Sequence, residues 1–179
     1  MSDLYDQIVD NRGKMRDWMD KIPGLRGYMD KGDRRTADRM LRDYIAGELE
    51  KRLARFSGIE KQILKSGGLS MMSSTREAKE KFQTYISKVK AAAPGYSGLF
   101  AKINVDEEAM DRIYAFDEAQ VRYMAQFDEA LDTLENAAGS GEGLEGAIQG
   151  FYNLAQEAMQ AFALREDVLT NINKELGQG

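Results

Sequence analysis

Between Leu144 and Leu176, Ile148, Ala155, Phe162, Leu169 and Leu176 fall at strict intervals of seven, with Phe151, Ala158 and Ile172 between them. An α-helix places such a set on one face, and a strand scatters it over two. The same three-and-four spacing runs through nearly all of the chain, which predicts an all-α protein. No segment alternates with period two between hairpin turns, so no sheet is expected.

Cap and stop signals divide the chain into five helices. The first runs from Ser2 to about Lys21 on Leu4, Tyr5, Ile8, Val9, Met15, Trp18, Met19 and Ile22, and Pro23-Gly24 ends it. The second begins near Asp33, an N-cap candidate, and reaches Lys65, where Ser66-Gly67-Gly68 stops it. Its length of about 50 Å implies a rod-shaped bundle. The third opens on the capping box Ser74-Thr75-Arg76-Glu77, carries Ala78, Phe82, Tyr85, Ile86 and Val89 on its core face, and ends by Ala93-Pro94-Gly95. The fourth runs from Asn104-Val105-Asp106-Glu107 to Ala138. Within it Phe116-Asp117-Glu118-Ala119 recurs eleven residues later as Phe127-Asp128-Glu129-Ala130, three turns further along one face. The fifth spans 144–176, with Gly177 as its stop. The expected architecture is one domain over residues 1–179, an elongated antiparallel bundle of about five helices. The second, fourth and fifth are the long ones, and short loops make each sequential pair antiparallel neighbours. Gly67–Ser73 and Gly139–Gly143 read as loose connections, with Leu69-Ser70-Met71-Met72 folding back on the bundle.

Two connections share one pattern, Ile22-Pro23-Gly24-Leu25-Arg26-Gly27-Tyr28 and Ala93-Pro94-Gly95-Tyr96-Ser97-Gly98-Leu99-Phe100. Proline cannot donate to the preceding helix, and glycines take the positive-φ conformations of a tight reversal. A helical-hairpin duplication, residues 1–67 and 70–138 followed by a C-terminal helix over 144–176, is one explanation. Convergent turn chemistry is the other. These turns, with Arg34-Arg35-Thr36-Ala37-Asp38-Arg39-Met40-Leu41-Arg42 after the first and Val105-Asp106-Glu107 and Asp111-Arg112-Ile113-Tyr114-Ala115-Phe116-Asp117 after the second, resemble those of a functionally uncharacterised family of helical bacterial cytosolic proteins. The resemblance covers about residues 20–130. It implies a bacterial, cytosolic, all-α protein and names no site.

Chemistry is narrowed first by what the chain lacks. It has no cysteine and no histidine, which removes disulfides, thiol nucleophiles, Ser-His-Asp triads, His-ligated haem and the Glu-x-x-His sites of di-iron bundles. The acidic start Met1-Ser2-Asp3-Leu4-Tyr5-Asp6 lacks a secretory signal, so a cytoplasmic address is expected. The net charge of −5 conceals an asymmetry: residues 1–90 hold 20 Lys and Arg against 14 Asp and Glu, and residues 91–179 hold 5 against 16. Packing of the basic half on the acidic half, or two surfaces for different partners, accounts for that division. Lys31, Arg35, Arg39 and Arg42 lie on one stripe roughly opposite Ala37, Leu41 and Tyr44, a candidate solvent-facing patch for a polyanion or partner. The acids Asp106, Glu107, Glu108, Asp111, Asp117 and Asp128 are the candidates for a metal site, although their spacing fits no known metal loop. Gly139-Ser140-Gly141-Glu142-Gly143 lacks the strand and Lys-Ser/Thr of a phosphate-cradling loop. The reading is a non-enzymatic protein–protein interaction or scaffold module without cofactor, its partner another protein or itself through helix packing. A peripheral binder of anionic membrane or nucleic acid acting through the basic half is the first alternative. A carboxylate-based metal-binding bundle is the second.

Overall fold

The computed structural model describes residues 34–92 and 107–177, together with positions 4, 8, 20, 22–25 and 27. Among the described residues it is helical, without strands: α1 (Arg34–Lys65), a short 3-10 helix η1 (Leu69–Met71), α2 (Met72–Ala91), α3 (Glu107–Ser140) and α4 (Leu144–Gly177). The sequence-predicted second to fifth helices are these four. Most of the first, over 2–21, lies outside the described residues, as do the second Pro-Gly turn and Asn104-Val105-Asp106.

The four helices close a ring in which α1 packs on α2 and α3, and α4 packs on α2 and α3. Lys79 of α2 bonds Glu60 of α1 at 2.7 Å, and Lys90 bonds Glu50 further along, so this pair is antiparallel. Tyr123 and Asp117 of α3 meet Glu157 and Arg165 of α4 in the same antiparallel sense. By contrast α1 and α3 run parallel, with Arg52 on Asp128, Arg55 on Asp132 and Glu135, and Gln62 against Gly139. The expectation that every sequential pair forms antiparallel neighbours therefore fails for α2 and α3, which lie across a diagonal. The loop argument holds for the short 66–71 and 141–143 turns and loses its force over residues 92–106. The hairpins of the described structure are thus α1–α2 and α3–α4. The possible hairpin over 70–138 finds no support in this pairing, since α2 and α3 are not neighbours in the ring.

One aromatic ring from each helix meets at the centre. Phe82 of α2 lies 4.6 Å from Phe127 of α3 and 5.2 Å from Phe151 of α4, and Phe56 of α1 lies 4.8 Å from Phe151. All four are buried, and their tilted and edge-on geometries are those the aromatic quadrupole favours. The eleven-residue repeat works as its spacing predicts, with Phe116 and Phe127 both in the core. So do Ile148, Ala155, Phe162 and Leu169, the members of the seven-residue series whose side chains are described.

The stop after α1 is built by two hydrogen bonds, Gly68 N–H to Ile63 O at 3.0 Å and Gly67 N–H to Leu64 O at 3.3 Å, with Gly67 at φ +86. This is a Schellman motif. Gly68 has no room for a side chain, because a Cβ there would meet Ile63 Cγ2 at 2.6 Å. The capping box is not used: η1 runs straight into α2, which begins two residues earlier than its caps suggest. Ser74 and Thr75 instead donate back to Met71 O at 3.1 and 2.7 Å. The 139–143 connection is likewise an ordered turn. Gly141, at φ +76, donates to Ala137 O at 2.8 Å, and Ser140 Oγ accepts from Glu142 N–H at 3.2 Å. Of the apolar stretch after α1, Met71 packs on the core while Leu69 stays exposed, so the predicted fold-back is only partial. The first Pro-Gly turn is type II, with Gly24 at φ +80 and Leu25 N–H donating to Ile22 O at 3.2 Å. No described helix is long and apolar enough to cross a membrane.

Candidate functional site: a buried arginine–carboxylate network

Two or three turns from the end where α1 begins and α4 finishes, charged side chains replace aromatic ones in the core. Arg165 of α4 is 1% exposed, and each of its three nitrogens donates. Nε reaches Asp117 Oδ1 on α3 at 2.6 Å, Nη2 reaches Asp38 Oδ1 on α1 at 2.9 Å, and Nη1 reaches Glu166 Oε1 at 3.2 Å. The second oxygen of Asp38 accepts from Arg42 Nη2 at 2.6 Å, and Arg42 Nη1 donates to Ala92 O at the C-cap of α2. Asp38, Arg42, Asp117 and Arg165 are all buried. Two positive and two negative groups thus form one charge-balanced chain that touches all four helices. Charge-assisted bonds of this kind are about twice as strong as neutral ones, but each member is costly to leave unpaired.

Burial pushes the Asp38 carboxyl above its ordinary value, and neighbouring Asp117 pushes the same way. Arg165 and Arg42 oppose the shift without cancelling it. One turn toward the aromatic centre, Tyr85 Oη donates to Gln120 Oε1 at 2.6 Å in full burial, while Gln120 Nε2 finds no partner among the described residues. Burial raises the Tyr85 phenol, with a smaller contribution from Tyr123. Tyr123 is itself raised by burial and by its 2.8 Å bond to Glu157. A cleft of about 110 Å³ between α3 and α4 is lined by Leu4, Ile8, Ala119, Arg122, Tyr123, Gln126 and Glu157. Its Arg122 is held by Glu118 at 3.0 Å.

The predicted cationic stripe does not stand as one solvent face. Arg39 is exposed, but Arg42 is buried in the network, drawn inward by Asp38 one turn earlier and by the end of α2. The side chains of Lys31 and Arg35 lie outside the described residues. Of the candidate metal acids, Asp117 is held by Arg165, and Asp128 by Arg52 at 2.5 Å. The side chains of the four over 106–111 are not among those described. No three of His, Cys, Asp and Glu gather into a metal-holding group among the described residues.

Arg165, Asp38 and Gln120 were not singled out by the sequence as site residues. A signal was nevertheless there. Arg165 stands three residues after Phe162 and four before Leu169, and Asp38 stands three before Leu41 and seven before Ile45, so each interrupts an apolar stripe. Compared with known proteins, the chain matches no family model, no curated protein and no solved structure.

Proposed function

We propose that the chain is a non-enzymatic scaffold or interaction module that works through the outer surface of its helical bundle, with another protein or a second copy of itself as partner. The observation that carries this reading is the network of Asp38, Arg42, Asp117 and Arg165. Four buried charges bind one another and join four helices, which is the work of a lock on the architecture. A second observation supports the same reading. Arg52 and Arg55 of the basic half bond Asp128, Asp132 and Glu135 of the acidic half, so part of the asymmetry along the sequence is met by internal pairing. Polyanion binding through the basic half is correspondingly the weaker reading.

A fifth helix over 2–21 belongs to this proposal, supported by Ile8 in the core and Leu4 packed against it one turn away. So do the bacterial, cytoplasmic setting that the turn resemblance implies and a single-domain organisation. The test is affinity isolation of the full chain from its native host without chelator, followed by metal analysis. A protein recovered at fixed stoichiometry is the expected result. Stoichiometric metal removed by a chelator would overturn the reading in favour of a carboxylate bundle.

A further inference from the structure

The bundle end opposite the arginine network carries the large apolar side chains that stand exposed among the described residues, Leu69 at 72% and Leu64 at 40%. The Schellman turn puts both there, Leu64 in the last turn of α1 and Leu69 at the head of η1. Lys61, Lys65 and Arg76 are exposed beside that turn, form no ion pair with a described residue, and outnumber Glu77, the exposed acid of the same edge. The neighbouring α3–α4 turn exposes Glu142, and Glu145 is exposed in the first turn of α4. Gln62 against Gly139 sets the two turns side by side. One end face therefore holds an apolar, basic edge next to an acidic edge. An anionic membrane would attract the first and repel the second. A second copy turned about a two-fold axis that lies in the end face, parallel to both turns, brings each edge onto its opposite, which is what an isologous contact requires.

We propose that this end is a two-fold contact between two copies of the chain. Leu69 of each copy rests on the α3–α4 turn of the other, and Lys61, Lys65 and Arg76 face Glu142 and Glu145 across the axis. The inference rests on the interaction-module reading and gives it a partner. The end of a four-helix bundle spans only about two interaxial distances, so the buried area falls below the roughly 1,200 Å² of standard stable complexes. The contact is weak and reversible.

Sedimentation velocity on the full chain from about 10 μM to about 1 mM, at low and moderate salt, tests it. A mass rising toward the dimer with concentration, and falling with salt, is expected. Lys61→Glu with Lys65→Glu, and separately Glu142→Lys with Glu145→Lys, should each weaken association on the order of thirtyfold, since each substitution counts twice at a two-fold contact. An equimolar mixture of the two double variants should associate again, because an end that is acidic apart from the single Arg76 then meets a basic one. Leu69→Ser should weaken association roughly tenfold at any salt. Circular dichroism establishes that the variants are folded. A chain monomeric throughout at low salt, or a mixture that fails to restore association, overturns the proposal. So does binding to phosphatidylglycerol vesicles that Glu142→Lys with Glu145→Lys strengthens while the chain stays monomeric. A monomer that still holds a stoichiometric host partner overturns the end contact and leaves the module reading standing.

Discussion

The aromatic centre and the arginine network are both buried and both draw on all four helices, yet they hold them by different physics. Phe56, Phe82, Phe127 and Phe151 contribute area and shape. A cluster of that kind tolerates rearrangement, because burial has no direction. Arg165, Asp38, Asp117 and Arg42 contribute contacts that exist in one register only. Slipping α4 by one residue turns Arg165 by about 100° and strands two buried carboxylates. The centre therefore supplies stability and the network supplies uniqueness. A bundle with two parallel and two antiparallel neighbour pairs needs that uniqueness, since its aromatic layer alone would also suit other pairings.

The sharpest way to break the comparison is to remove the hub of the network. Arg165→Met keeps most of the side chain's volume but leaves Asp38 and Asp117 buried without it. Urea unfolding should show a loss of about 3–5 kcal/mol. Adding Asp38→Asn and Asp117→Asn should recover part of that loss by removing the stranded charges. The matched change at the centre, Phe82→Leu, should cost only about 1–1.5 kcal/mol, as an apolar swap that the surrounding rings can close around. If the two costs came out equal, the distinction between the regions would collapse.

Tyr85 sits between the two regions and partakes of both. Its ring lies 6.1 Å from Phe127, and its hydroxyl donates to Gln120. Tyr85→Phe leaves the Gln120 carbonyl buried without its donor and should cost about 1–2 kcal/mol, more than the loss of one atom from an apolar core would suggest.

What the sequence makes legible follows the same division. The stripes of apolar residues over the four described helices, the stop after Lys65 and the in-phase pair Phe116 and Phe127 are local patterns, and they appear among the described residues. The network is not local: Arg165 lies 48 residues from Asp117 and 127 from Asp38. Beside Glu166 and Asp167 it reads as part of a solvated run, and Asp38 reads as diluting a basic stripe. Only its place on an apolar stripe marks Arg165 as a core residue, and spacing cannot name the partner on another helix. The diagonal arrangement of α2 and α3 is hidden for the same reason, since the connection between them is too long to dictate adjacency.

Acidity separates the buried carboxylate Asp38 from the partly buried Glu48. Asp38 is raised in the folded state by burial, so the folded protein holds that proton more tightly than the unfolded chain. The group's stabilising contribution is complete below its ordinary value of 3.8 and is lost as pH rises through the folded value. Glu48 is lowered by its bond to Lys51, with Arg52 helping. Its contribution is present above its ordinary value of 4.5 and is lost as pH falls through the folded value. Replacing Asp38 with Asn should therefore flatten the decline in stability as pH rises above about 4, whereas Glu48→Gln should remove a loss on the acid side. Stability measured across that range in the two variants checks both signs. Identical profiles would mean that the buried and partly buried carboxylates titrate alike.

The smallest effect expected lies on the surface between α1 and α3. Arg55 bonds both Asp132 and Glu135 at 2.6 Å, and these carboxylates hold its guanidinium above its ordinary value. The arginine is about one-third exposed and its partners are half exposed or more. Water and salt therefore compete for every bond in the trio. Arg55→Ala should cost about 0.2–1 kcal/mol at low ionic strength, and that cost should shrink as salt approaches about 1 M, where screening acts within about 3 Å. Asp117, by contrast, is sealed from salt, and the loss caused by Arg165→Met should hardly change over the same range. A loss at Arg55 as large and as salt-resistant as the one at Arg165 would mean that the outer charges, not the inner network, hold α1 on α3 in parallel register.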